Sequence, residues 1–159
     1  MEDCVIHALL ELGPDERLSD LLNEVASVPM HDLFLYALDD GREVRAERFD
    51  VDVGELYAVE ALDNPHGSRH VHTRTTRVEI SSGPYRIVGN IHGPVGADPA
   101  LNVMRRPRMI PLTDARIEFE FIGRPMTVES DVVIFNRAVA RGVRAADYGH
   151  EPQMPTLGG

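Results

Sequence analysis

Lysine is absent from this chain, and all 16 of its basic residues are arginine. Cysteine is almost absent too, since Cys4 is the single one. One cysteine excludes an internal disulfide and a cysteine-rich zinc site, which is typical of proteins in a reducing compartment. We therefore expect a cytoplasmic protein.

Long apolar runs are also missing. No uninterrupted hydrophobic stretch of the chain approaches the roughly 20 residues that a membrane span requires. Glu2 and Asp3 place acids where a signal peptide carries bases, and His7 and Glu11 interrupt the apolar stretch that follows. The sequence therefore predicts neither a membrane protein nor a secreted one.

The common sequence signatures of catalysis are missing as well. The chain has no Gly-x-Ser-x-Gly elbow, no Walker A loop, no His-Glu-x-x-His motif and no dinucleotide-binding glycine pattern. Cys4 has no neighbour in sequence that would activate its thiol. We expect no enzymatic activity and no cofactor.

Charge is present in quantity and is unevenly distributed. The 159 residues are 43% hydrophobic and 26% charged, as in globular proteins, with a net charge of −10. Up to Asp63 there are 17 acids and 4 arginines, a net −13, whereas the rest has 9 acids and 12 arginines, a net +3. Because an acidic chain repels phosphate backbones at long range, we do not expect a nucleic-acid partner.

Several short sequences recur at a nearly constant spacing, which indicates an internal repeat. The recurring pairs are Val28–Asp32 with Ile110–Asp114 and Gly41-Arg42 with Gly123-Arg124, both 82 residues apart, and Gly13-Pro14 with Gly93-Pro94, 80 residues apart. The second copy therefore has about two extra residues between its Gly-Pro turn and its next element.

Both copies have the same predicted order of elements: a strand, a short helix and three or four further strands. Leu18, Leu21, Leu22 and Val25 have the spacing of a helix that buries one face. Asp98-Pro99 begins the matching helix of the second copy. The predicted strands cover 5–12, 33–38 and 56–62 in the first copy and 70–80, 85–92, 115–121 and 132–143 in the second. A further extended run follows the tight turn at Asp39–Gly41 in the first copy and at Ile122-Gly123 in the second.

The predicted fold is mainly β with short helices (α+β), made of two tandem barrel-like or sandwich-like units packed as a pseudo-twofold pair. A unit of about 60 residues buries too little apolar surface to be comfortably stable alone, so we expect a shared buried face. We place the first unit at 1–63, a linker at 64–69, the second unit at 70–148 and a mobile tail at 149–159. One continuous β-rich domain in which the copies exchange strands is the alternative.

Three motifs resemble those of an uncharacterised bacterial family of small β-rich domains. Arg17–Asn23 is similar to the family's helix, Pro111–Ala115 to its Pro-Leu-Thr-Asp-Ala strand, and Val133–Arg137 to its closing strand with Asn-Arg. The first motif lies in copy one and the other two lie in copy two. The resemblance implies the fold and no activity, because the family has none assigned.

Three histidines, His66, His70 and His72, lie close together in sequence, near Asp63. On a strand, His70 and His72 would face the same side, which suits two metal ligands. Solvated histidines explain such a pair more often, so we predict no metal site and keep these three residues as the candidates if one exists.

The dense basic segment consists of Arg105, Arg106 and Arg108. Near a helix C-terminus, these cations also interact favourably with the backbone dipole. Guanidinium groups in such a cluster bind phosphates, carboxylates or an acidic protein surface. We name these three residues as the partner-binding or anion-binding candidates.

Asp32 and Asp114 occupy equivalent places in the repeat but do not form a predicted catalytic pair. Each follows a Pro-x-x sequence where a strand begins, and there a short acid typically accepts backbone amide hydrogen bonds. We predict a structural role for both.

These features together predict a non-enzymatic interaction or adaptor module, whose partner is another protein or a second copy bound through the acidic and basic halves. The alternative is a sensor that binds a small anionic ligand or nucleotide through Arg105, Arg106 and Arg108. The histidine-based metal protein is the third interpretation.

Overall fold

The computed structural model describes residues 3–62, 74–93, 103 and 105–146. These residues form a mainly β structure, as predicted, with one α-helix whose bounds are both described. The strands are β1 (Cys4–Leu9), β2 (Ser27–Ala37), β3 (Glu43–Asp52), β4 (Ala58–Glu60), β5 (Arg74–Ser82), β6 (Tyr85–Gly93), β7 (Met109–Phe121), β8 (Arg124–Asn136) and β9 (Gly142–Ala145). The helix α1 spans Leu18–Glu24, and two 3-10 turns span Val53–Glu55 and Arg137–Val139.

The strands form two antiparallel sheets. The first sheet has the order β1-β2-β3, and the second has the order β4-β8-β7-β6-β5-β9. Each sheet ends in edge strands, so within the described residues neither closes into a barrel, and the barrel-like form of the prediction is wrong. Strand β4 follows the first sheet in the chain, but it pairs with β8, with Ala58 opposite Phe135. It therefore becomes an edge of the second sheet and does not extend the first.

Two hydrophobic cores lie on opposite faces of β8. The first core contains Phe135 and is formed mostly by side chains of the second sheet. The second core contains Ile134 and Met109 from the second half of the chain, together with Leu22 and Val28 from the first half. Because successive strand residues point to opposite faces, β8 is buried on both sides, and the two halves share one core.

The helix is formed by the predicted residues. Leu22 is fully buried in the second core, and Leu18 and Val25 pack at its margin, so the apolar stripe faces inward. Among the described residues, no helix has the length and apolar character needed to cross a membrane.

The same backbone irregularity occurs at Asp32 and Asp114, which the sequence comparison placed at equivalent positions. Asp32 in β2 has φ 51°, and Asp114 in β7 has φ 46°. Next to each of them the pairing with the preceding strand slips by one residue. The predicted structural role has a different physical basis, because aspartate tolerates this left-handed conformation better than most residues and so fits a bulge within a strand.

A predicted continuous strand over 132–143 is wrong, because a 3-10 turn interrupts it after Asn136. The Asn136 Oδ1 atom accepts a hydrogen bond from Ala138 N at 3.0 Å. Asp52 does the same for the first 3-10 turn, accepting from Gly54 N at 2.8 Å. Branched residues on either side favour strands, but this side-chain cap ends the strand.

Candidate functional site

The predicted arginine segment leads from the buried Val103 into β7. Arg105 is exposed. Arg106 is half-buried, its Nη2 atom donates to the His92 carbonyl, and desolvation by burial lowers its pKa. Since the second of these guanidinium groups is directed inward at β6, the segment is only partly available to a partner.

Arg108 faces the first half of the chain. Its Nη1 atom lies 4.0 Å from the point where a Cβ on Gly54 would stand. Its carbonyl accepts a hydrogen bond from Arg137 N at 2.7 Å. Of the three arginines, Arg108 thus lies beside the first 3-10 turn, at the junction of the two halves.

The histidine candidates His66, His70 and His72 lie outside the described residues. In the described part of the chain, no group of three or more His, Cys, Asp and Glu residues is arranged to hold a metal ion. Cys4 is half-buried, and burial, with a contribution from Asp3, raises the pKa of its thiol. A thiol of this kind is a poor nucleophile at neutral pH.

Asn136 joins the two halves at their buried junction. Its side chain is fully buried, and its Nδ2 atom donates to the Val53 carbonyl at 3.4 Å and the Gly54 carbonyl at 3.5 Å. Its backbone N donates to the Tyr57 carbonyl at 2.9 Å. The Asn-Arg motif of the sequence therefore has a structural task, because it attaches the first 3-10 turn to the end of β8.

Comparison of the chain with protein-family models, with curated proteins and with solved structures found no match. The chemistry of its surfaces is therefore the basis on which its function is inferred.

The outer face of the second sheet carries a charge ladder, formed by Glu79, Arg86, Glu118 and Arg144. Arg86 makes two hydrogen bonds to Glu79, at 2.8 and 3.1 Å, and one to Glu118 at 2.5 Å. Arg144 donates to Glu79 at 2.8 Å. The four residues lie on the adjacent strands β9, β5, β6 and β7. Their hydrogen-bonded ion pairs therefore link these strands and stabilise the sheet.

The first sheet presents a different surface, at its edge strand β3. Val44 is 53% exposed and Phe49 is 58% exposed, although both are apolar side chains of a ten-residue strand. Charged residues alternate with them along the strand. No described strand pairs with the outer side of β3, so its backbone hydrogen-bonding groups there are open to a partner.

Sequence reasoning missed this edge and named the arginine segment. Part of the signal was present, because apolar and charged residues alternate over 43–47 and again over 48–52, with the phase reversed between Glu47 and Arg48. What the sequence did not show is that both faces and one edge of that strand are largely exposed. The exposure of β3 depends on which strand β4 pairs with, and that pairing joins residues far apart in the sequence.

Proposed function

We propose that this protein is a cytoplasmic, non-enzymatic interaction or adaptor module that acts as a scaffold for other proteins. We further propose that it arose from two degenerate copies of a small β-rich domain, packed as a pseudo-twofold pair. The observation that carries the proposal is the open edge of β3 with its exposed Val44 and Phe49.

An open strand edge supports protein binding for a specific physical reason. Its unpaired N–H and C=O groups accept an additional strand through main-chain hydrogen bonds, while alternate side chains supply selectivity. Natural edges are usually kept short or covered to prevent this pairing. The other edge strands, β1, β4 and β9, have six, three and four residues, whereas β3 has ten.

The uneven charge of the two halves supports the same function. Six ion pairs between described residues are seen, and each joins two residues of the same half. Among these pairs, the first half contributes the acids Glu43 and Asp50, which supports contact of its excess acid with an external surface. We propose that it meets basic partners, including the basic half of another molecule, since complementary charge accelerates and selects association.

Site-specific photo-cross-linking in the native host tests this function. A photoreactive amino acid replaces Val44 on β3 or, as the control, Met126 on β8, which is 42% exposed. We expect a discrete protein adduct from position 44 and a much weaker one from position 126. Equal labelling at both positions, or none at 44, would contradict a binding role for the β3 edge.

Light scattering tests the association of acidic and basic halves. Assemblies held by opposite charge should form at low salt and dissociate when salt screens the charges over about 10 Å or less. A chain that is monomeric at both low and high salt would exclude this form of self-association.

Binding of a small anion is the second candidate function, and it rests on the exposure of Arg105 beside the half-buried Arg108. A ligand that binds only the folded state raises the melting temperature. Thermal-shift screening with nucleotides and phosphorylated metabolites should therefore show a shift that Arg105→Ala removes. No shift at millimolar ligand would reject this candidate.

A further inference from the structure

The hairpins β2-β3 and β7-β8 each contain a cross-strand residue pair at a matching position. Met30 lies opposite Phe49 in the first sheet, and Leu112 lies opposite Val133 in the second. Both pairs sit two residues before the strand bulge that Asp32 or Asp114 makes. Met30 and Leu112 are both buried, but their partners differ, since Val133 is 0% exposed and Phe49 is 58% exposed.

The cause of this difference is a covering strand. In the second sheet, Glu60 of β4 pairs with Val133, and β4 covers the outer side of β8 over Val133–Phe135. The strand that follows the second 3-10 turn, β9, pairs instead with β5, where Arg144 lies opposite Glu79. Among the described residues, the edge of β3 at Phe49 is thus left without the covering strand that its counterpart has.

We propose that a second copy of this chain covers that edge, forming a symmetric dimer in which β3 pairs antiparallel with β3 and Phe49 lies on the twofold axis. The inference rests on the proposed binding role of the β3 edge and names the partner of that edge; it is a separate contact from the association of acidic and basic halves. The two three-stranded sheets then become one continuous sheet of six strands.

Charge complementarity selects this partner and this register. Around a twofold axis at Phe49, Arg48 of each copy lies opposite Asp50 of the other, which gives two ion pairs. Within one chain the two side chains are 3.9 Å apart and both are 65% exposed, so they are free to exchange partners. The two Phe49 rings meet beside Met30, at the margin of the second core.

Other registers of the same two strands are less favourable. A residue on the axis faces its own copy, so a centre at Arg45, Glu47, Arg48 or Asp50 opposes like charges. A centre at Val51 places Asp50 opposite Asp52. A centre at Ala46 pairs Arg45 with Glu47 but leaves Phe49 opposite Glu43, and a centre at Val44 leaves Phe49 unpaired.

The proposed interface is small, so we expect the dimer to be weak and reversible. Seven residues of each strand, 46–52, pair within the observed bounds of β3. Interfaces of this size belong to weak and transient complexes. We therefore expect a dimer that forms with a dissociation constant of about micromolar and that dissociates on dilution.

A charge-swap experiment on the full chain tests the dimer and its register. Arg48→Asp places two acids opposite two acids, and Asp50→Arg does the same with bases, so each variant alone should dimerise about tenfold less tightly or worse. An equimolar mixture restores both opposite-charge pairs and should form a heterodimer. Analytical ultracentrifugation over a dilution series measures the mass.

The matched control swaps Arg45→Asp and Glu47→Arg, residues that face each other only in the register centred on Ala46. This mixture should show no such restoration. Circular dichroism should show all four variants folded, since these side chains are exposed.

Three results would overturn the dimer as proposed: a wild-type chain that stays monomeric up to its solubility limit, assemblies that grow beyond two copies, or restoration by the control pair instead of the 48/50 pair. A monomeric chain whose position 44 still cross-links to a different protein would refute the dimer and leave the proposed interaction function standing.

Discussion

The side chain of Asn23 pairs with both backbone polar groups of Met109, 86 residues further along the chain. Its Nδ2 atom donates to the Met109 carbonyl at 2.9 Å, and Met109 N donates to its Oδ1 atom at 2.8 Å. Nδ2 also donates to the Ser19 carbonyl within α1. The amide thereby attaches the helix of the first half to the first residue of β7.

Asn23→Ala should lower the free energy of unfolding by about 2 kcal/mol, because it leaves two backbone groups at Met109 without partners. Asn23→Asp should cost at least as much, since a carboxylate accepts from Met109 N but repels the carbonyl. Urea denaturation measures both. Glu24→Ala, at the exposed neighbouring position, is the control and should change stability by less than about 0.5 kcal/mol. Wild-type stability in Asn23→Asp would contradict the two-bond arrangement.

Exchange of acid and amide at the two 3-10 turn caps should have unequal effects. Asn136→Asp keeps the cap on Ala138 but places a buried carboxylate against two carbonyls, which should cost about 3 kcal/mol. Asp52→Asn, at the exposed cap of the other turn, should change stability by less than about 0.5 kcal/mol. Thermal and urea unfolding compare the two variants, and similar losses would show that the junction at Asn136 does not depend on its amide.

The local features of this fold were predictable because short-range physics determines them. The stripe from Leu18 to Val25 predicts α1, and the recurrence of Asp32 at Asp114 marks two bulges whose backbone tolerates few other residues. Gly41 and Gly123 both lie in the turns between paired strands and have positive φ, as glycine allows.

The long-range features were not predictable, because identical local patterns permit several pairings. The residues of β4, Ala58–Glu60, contain no local signal that this strand pairs with β8 in the other half of the chain. The exposure of Phe49 follows from that pairing and therefore could not be read from its neighbours. The arginine segment was named from its composition, but the inward contact of Arg106 with His92 depends on where β6 lies.

Glu79 should give the second sheet a pH-dependent stability. Its hydrogen bonds with Arg86, and then with Arg144, lower its pKa from 4.5 to about 2. Because the pKa is lower in the folded state, the stabilisation is complete above about pH 4.5 and is lost as the pH falls toward 2. Glu79→Gln should therefore reduce stability by about 1–2 kcal/mol at pH 7 and progressively less below pH 4.

Urea denaturation at a series of pH values checks this window. Glu120→Gln, at an exposed position of β7, is the control and should leave the pH profile of stability unchanged. A constant difference between wild type and Glu79→Gln from pH 7 to pH 3 would show that the ladder does not depend on the ionised carboxylate.

Alanine substitutions at two glycines with positive φ, Gly83 and Gly123, distinguish the cost of backbone strain from the cost of steric overlap. Gly83 has φ 54°, and a Cβ there would lie 2.5 Å from the Tyr57 ring, whereas Gly123 has φ 71° and nothing within 4 Å of such a Cβ. Gly123→Ala should cost about 1 kcal/mol from strain alone. Gly83→Ala adds the displacement of Tyr57 and should cost about 2–4 kcal/mol. Tyr57→Ala should reduce the penalty of Gly83→Ala to nearly that of Gly123→Ala, as a double-mutant cycle measures. An unchanged penalty would show that the ring does not set the requirement for glycine at position 83.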